Sequence, residues 1–97
     1  NSISQRDDIG ALWENFLVIE RLKKQAYKPI YANNYFWRTW EQKEVDWIEM
    51  REGKLFGYEF KWNPKTKSKN KDAWLKAYPK EAVFEVINRN NYTNFIT

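Results

Sequence analysis

Ninety-seven residues with 42% hydrophobic content, three glycines and three prolines suffice for one core and not for two, so the chain reads as a single domain. Cysteine and histidine are both absent, which excludes disulfides, thiolate nucleophiles, imidazole bases and cysteine or histidine metal sites, and leaves oxygen ligands suited to Mg²⁺, Mn²⁺ or Ca²⁺. The net charge of +4 is uneven: residues 61–80 hold seven lysines against Asp72, a basic block that suits a polyanion such as nucleic acid.

Asn1 to Asp8 form a polar start without methionine, so residues 1–8 are read as a linker or remnant, and 9–97 as a domain that is the C-terminal fragment of a longer protein. No apolar run approaches the roughly 20 residues needed to cross a bilayer. A soluble, cytoplasmic chain with no membrane partner is therefore expected. Asp7 and Asp8 then precede an apolar recurrence at Ile9, Leu12, Trp13, Phe16, Ile19 and Leu22, closed by Lys23 and Lys24, which predicts a helix over about 9–26.

After Pro29, aromatic and β-branched residues predict three consecutive antiparallel strands within Tyr35–Trp40, Glu44–Met50 and Leu55–Trp62, with turns at Glu41-Gln42-Lys43 and Glu52-Gly53. Asn63-Pro64 ends the third strand, and the lysine-rich stretch to Lys71 is loop. Trp74, Ala77 and Tyr78 share one face of a short helix stopped by Pro79. Ala82–Ile87 is a buried strand reached by a right-handed crossover and parallel to its partner, and Tyr92–Thr97 is either a short strand or a turn of helix. The order is αβββαβ: an α/β fold with a mixed sheet. Most of the six tryptophans, six tyrosines and six phenylalanines are spaced for packing, while Trp40 and Trp62, near strand ends, are candidates to meet a base or a partner surface.

Pairing across Glu52-Gly53 places Met50 opposite Leu55 and Asp46 opposite Glu59. Strand alternation then gives one face with Glu44, Asp46, Ile48, Met50, Leu55, Gly57, Glu59 and Lys61. The other, with Val45, Trp47, Phe56, Tyr58, Phe60 and Trp62, is the core side. The first face is apolar near the turn and charged at its far end, so a helix is expected to cover half of it and leave the rest as a cleft. Two carboxylates side by side repel by roughly 3 kcal/mol at an effective dielectric of 20. Lys61 on the same face, or a divalent cation between Asp46 and Glu59, would offset that repulsion. By spacing alone these groups fit a solvated charge patch, with Glu44 paired to Lys61, at least as well as a metal site.

Asp46 on one strand, Glu59-Phe60-Lys61 on the next and a preceding helix with Gly10-Ala11-Leu12-Trp13-Glu14 resemble the PD-(D/E)xK signature of restriction-endonuclease-like enzymes. More narrowly, Tyr35-Phe-Trp-Arg-Thr, Lys43-Glu-Val-Asp-Trp-Ile and Tyr58-Glu-Phe-Lys are similar to a nuclease-like domain of unknown function found C-terminal to an AAA-type ATPase core in bacteria and archaea. The resemblance implies a Mg²⁺- or Mn²⁺-dependent phosphodiester hydrolase with Asp46, Glu59 and Glu14 as metal ligands. Lys61 would position the attacking water and steady phosphate charge. It also implies the N-terminal ATPase domain of the parent chain as a partner. Glu20, within the apolar stripe of the first helix, is the alternative to Glu14, as a buried second carboxylate or a partner of Arg38 or Lys61. Lys65, Lys67, Lys69 and Lys71 are candidates for contacts to DNA phosphates. An accessory module without catalysis, docking DNA, a partner protein or the ATPase, is the rival reading.

Overall fold

A computed structural model of the chain describes residues 5–38, 44–68, 70–78 and 82–97. Its elements are α1 (Gln5–Tyr27), β1 (Asn33–Arg38), β2 (Glu44–Arg51), β3 (Lys54–Phe60), α2 (Lys71–Ala77), β4 (Val83–Ile87) and α3 (Tyr92–Ile96). The predicted αβββαβ order is observed, and the tail is the helix α3. Helix α1 begins four residues ahead of its expected start, since Gln5 and Arg6 are themselves good helix formers. It ends where Pro29 removes a backbone donor, after Lys28 N–H donates to Lys24 O at 2.9 Å.

The four strands lie in the order β1-β2-β3-β4. The β1/β2 and β2/β3 pairs are antiparallel, while β4 runs parallel to β3 with Phe56 beside Val83 and Phe60 beside Ile87. The β2–β3 hairpin has the expected register, with Met50 opposite Leu55 and Trp47 opposite Tyr58. Its turn holds Glu52 at φ 53° and Gly53 at φ 76°, the two positive values that a two-residue turn matched to strand twist requires.

The sheet carries a helical layer on each side. Trp13 and Leu17 of α1 and Tyr92 and Phe95 of α3 pack against Trp47, Tyr58, Phe60 and Ile87. On the opposite face Trp74 of α2, 1% exposed, meets Val45 and Ile48, and its indole edge lies so close to Gly57 that an added Cβ there would stand 2.9 Å from it. Glycine at 57 therefore sets how near α2 approaches β3.

Two expectations about faces are corrected. Val45, expected beside Trp47 on the core side, packs with Ile48 and Trp74 on the α2 side. The cause is a bulge: Tyr35 pairs with Ile48 but Trp37 with Val45, so two steps along β1 match three along β2, and the extra residue falls at Asp46-Trp47. Apart from Trp13, the described residues of the apolar recurrence in α1 also point away from the sheet. Leu12 is 69% exposed and Phe16, Ile19 and Leu22 more than two-fifths so, while Leu17, Arg21 and Gln25 are buried. The sheet beneath α1 presents the Glu49 carboxylate, and the helix turns to it the face that can satisfy that charge.

Candidate functional site

The β2–β3 ladder pairs residues from Arg51 with Lys54 as far as Trp47 with Tyr58. One step further, the amide N–H of Phe60 donates to the Asp46 carboxylate, Oδ2, at 2.8 Å. A side chain thus stands where a strand carbonyl would continue the ladder, and the Asp46 carboxylate lies against the peptide that joins Glu59 to Phe60. The bulge at Asp46-Trp47 permits this by bending β2 at that point.

Glu59 shares the α2 side of the sheet with Gly57 and is 3% exposed. Its carboxylate is enclosed by the segment leading into α2: Ser68 donates its hydroxyl to Oε2, Asn70 donates Nδ2–H to Oε1 at 3.1 Å, and the Lys61 ammonium stands 3.6 Å from Oε1. The same Ser68 oxygen accepts the amide hydrogens of Asn70 and Lys71, both at 3.1 Å, which fixes the loop over the acid. The cleft expected at the charged end of this face is therefore closed over Glu59 by Ser68 and Asn70 of the loop that precedes α2, and Lys61 pairs with Glu59 two residues before it.

The structure sets Lys61 beside Glu59 and the Asp46 carboxylate on the amide of Phe60, while the expected Asp46–Glu59 pair is not part of the ladder, which ends at Trp47 and Tyr58. Glu14 is exposed on α1, the helix that packs through Trp13 and Leu17 on the side of the sheet opposite α2. Trp13 beside it does reach the end of β3, packing edge-on against Trp62 at 5.2 Å. Glu20, the alternative, is not a buried carboxylate in reach of Lys61: it pairs with Lys23 at 3.0 Å near the surface. Among the described residues no group of three acidic side chains is placed to hold one ion. Lys65, Lys67 and Lys71 are exposed on or beside the roofing loop, while Lys69 and Trp40 lie outside the described residues. Trp62 is half exposed and carries the Arg89 guanidinium 5.9 Å from its ring.

Beneath α1 lies a second ionic cluster. Glu49, 0% exposed, accepts Arg21 Nε–H at 2.7 Å, Gln25 Nε2–H at 2.8 Å and Trp47 Nε1–H at 3.0 Å on Oε2, and a second Arg21 bond at 2.8 Å on Oε1. Arg51 Nε stands 3.1 Å from Oε1, off the line of a hydrogen bond, with its guanidinium 3.8 Å above the Phe56 ring and one nitrogen donating to the Tyr58 hydroxyl. Burial alone would raise the Glu49 pKa, but the bonds from Arg21 and Trp47 and the charges of Arg21 and Arg51 outweigh it, so the acid lies below its usual range. Burial is also the first cause of the raised Tyr58 pKa. Each Glu49 oxygen is satisfied from inside the fold, so this cluster anchors α1, through Arg21, to β2 and to the Phe95 carbonyl of α3.

That cluster had a signal in the sequence. Glu49 has the strand parity of Trp47, and Arg21 and Gln25 follow Leu17 at four-residue steps, so a carboxylate and its partners were legible on facing surfaces. Ser68 and Asn70 had none, because a polar loop looks alike whether it is solvated or folded over an acid.

The model of a family described as a domain of unknown function, DUF4143, matches residues 9–94. No curated protein and no solved structure matches the chain.

Proposed function

We propose that this chain, which belongs to the DUF4143 family, is a nuclease-like domain of the PD-(D/E)xK type that acts on nucleic-acid phosphodiester bonds with Mg²⁺ or Mn²⁺. One observation carries this reading: the β2–β3 ladder stops where the Asp46 carboxylate takes the amide that joins Glu59 to Phe60, and Lys61 stands beside Glu59. The donors fit a hard cation, since both are carboxylates and Mg²⁺ is held by one or two such groups while it keeps several waters. Asp46 and Glu59 would hold the ion. When bound, it would polarise a phosphoryl oxygen and lower the pKa of water. Lys61, from its place beside Glu59, would orient the attacking water and balance charge growing on the phosphate. The exposed Lys65, Lys67 and Lys71 would meet DNA phosphates, and an ATPase domain of a longer chain is the proposed partner.

The rival, a non-catalytic accessory module, is favoured by one detail: both Glu59 oxygens already accept protein donors from Ser68 and Asn70. Titration of Mn²⁺ into the native chain and into an Asp46→Ala, Glu59→Ala variant, followed by assay on plasmid and branched DNA, separates the two. Metal binding and cleavage by the native chain alone support the nuclease; identical behaviour of both proteins defeats it, and binding of DNA without cleavage supports the accessory module.

A further inference from the structure

The residue after Lys61 is a tryptophan that the core does not enclose. Trp62 meets Trp13 of α1 edge-on at 5.2 Å, with Tyr92 of α3 at 6.4 Å from Trp13, yet half of its surface stays exposed. Its backbone is fixed against β4 and the turn after it: Ile87 O accepts the Lys61 amide hydrogen at 2.8 Å, and Trp62 O accepts that of Arg89 at 3.2 Å. The Arg89 guanidinium lies 5.9 Å from the indole centroid. Past the ring the chain folds back at once, since Asn63 O accepts Thr66 N–H and Asn63 Oδ1 accepts Lys65 N–H, both at 3.0 Å. Trp62 is thus an open ring on a backbone that its neighbours hold in place.

The two segments joined at Trp62 and Arg89 carry one sign of charge. Residues 60–71 and 86–97 contain Lys61, Lys65, Lys67, Lys69, Lys71 and Arg89 and no aspartate or glutamate. We infer that Trp62 is a stacking platform for an unpaired nucleobase, with Arg89 and Lys65, both exposed, on the flanking phosphates, so that the nucleic acid this domain takes is single-stranded or the unpaired part of a branched molecule. The inference rests on the nucleic-acid reading above and specifies its substrate. A purely apolar partner covers the indole but leaves the cations beside it without counter-charge, whereas a nucleotide brings a π-face and a phosphate together. A base within a duplex is excluded, because it must leave the stack before it can meet a side-chain ring. A base on Trp62 lies one residue from Lys61, whose ammonium stands 3.6 Å from Glu59 Oε1, so the strand that carries it crosses the end of β3 towards the proposed site.

The test measures affinity without divalent cation, so that nothing is cut, for oligothymidylate, for a strand of the same length with abasic spacers in place of the bases, and for a duplex. The native chain is expected to bind oligothymidylate roughly tenfold more tightly than the abasic strand. Trp62→Leu, with a native circular-dichroism spectrum, is expected to bind those two strands alike and the duplex as the native chain does, while Trp62→Phe, which restores a ring, recovers most of the preference. Arg89→Gln is expected to weaken binding of the abasic strand as well, since it meets phosphate. Equal affinity of the native and Trp62→Leu chains for oligothymidylate, with the duplex still bound, overturns the platform and leaves the nucleic-acid reading standing. Failure of the native chain to bind any of the three ends both.

Discussion

Glu49 shows how one residue can organise a small fold. A carboxylate without solvent is tolerated only because two arginines, a glutamine and an indole surround it, and those donors come from α1 and β2 at once. Arg21→Met keeps the volume and strips the buried acid of its two guanidinium bonds, leaving Arg51, Gln25 and Trp47, so it is expected to cost about 3 kcal/mol, read from urea unfolding at neutral pH. The pH dependence follows from the lowered pKa of Glu49. As pH falls, the unfolded chain takes the proton first. The stabilisation is whole above the ordinary glutamate value of about 4.3 and is lost as pH drops through it towards the lower folded value. Over that window the native chain is expected to lose urea resistance more steeply than Glu49→Gln; parallel curves for the two would show that Glu49 does not supply the dependence.

At the scale of elements, the hairpin and the loop over Glu59 contrast in what they ask of sequence. The two-residue turn needs positive φ at both positions, and Gly53 supplies one without strain while Glu52 does not. Glu52→Asn is therefore expected to stabilise the chain by about 0.5–1 kcal/mol, seen as a higher melting temperature. The loop places Ser68 and Asn70 on the oxygens that a cation would need. If a cation binds at Glu59, each of these bonds, at about 1 kcal/mol or more, opposes it, so removing both in Ser68→Ala, Asn70→Ala is expected to tighten Mn²⁺ binding roughly thirtyfold, measured by calorimetry. Unchanged or weaker binding would mean that the loop does not compete with the ion at Glu59.

For the molecule as a whole, charge and topology meet on one side of the sheet. The crossover from β3 to β4 passes through the lysine-rich loop and α2, so the basic block is delivered to the layer that holds Glu59 and Lys61. If these lysines contact phosphates, replacement of Lys65, Lys67 and Lys71 by glutamine is expected to flatten the dependence of log affinity on log salt by about 0.9 per lost contact on duplex DNA. An unaltered slope would place the nucleic-acid surface elsewhere. Among the described residues no helix is long and apolar enough to cross a membrane.

Local rules in the sequence determined the order of elements, the hairpin register and the placing of Lys61 beside Glu59, because strand alternation and turn chemistry act over a few residues. They did not determine which face of α1 is buried, where β2 bulges, or that Ser68 and Asn70 close over Glu59. Those depend on contacts between segments distant in the chain: Glu49 selects the face of α1 through Arg21 and Gln25, and β1 pairs with β2 only by admitting one extra residue at Asp46-Trp47. A buried charge and a mismatch in strand length are settled in three dimensions, where the whole fold shares their cost.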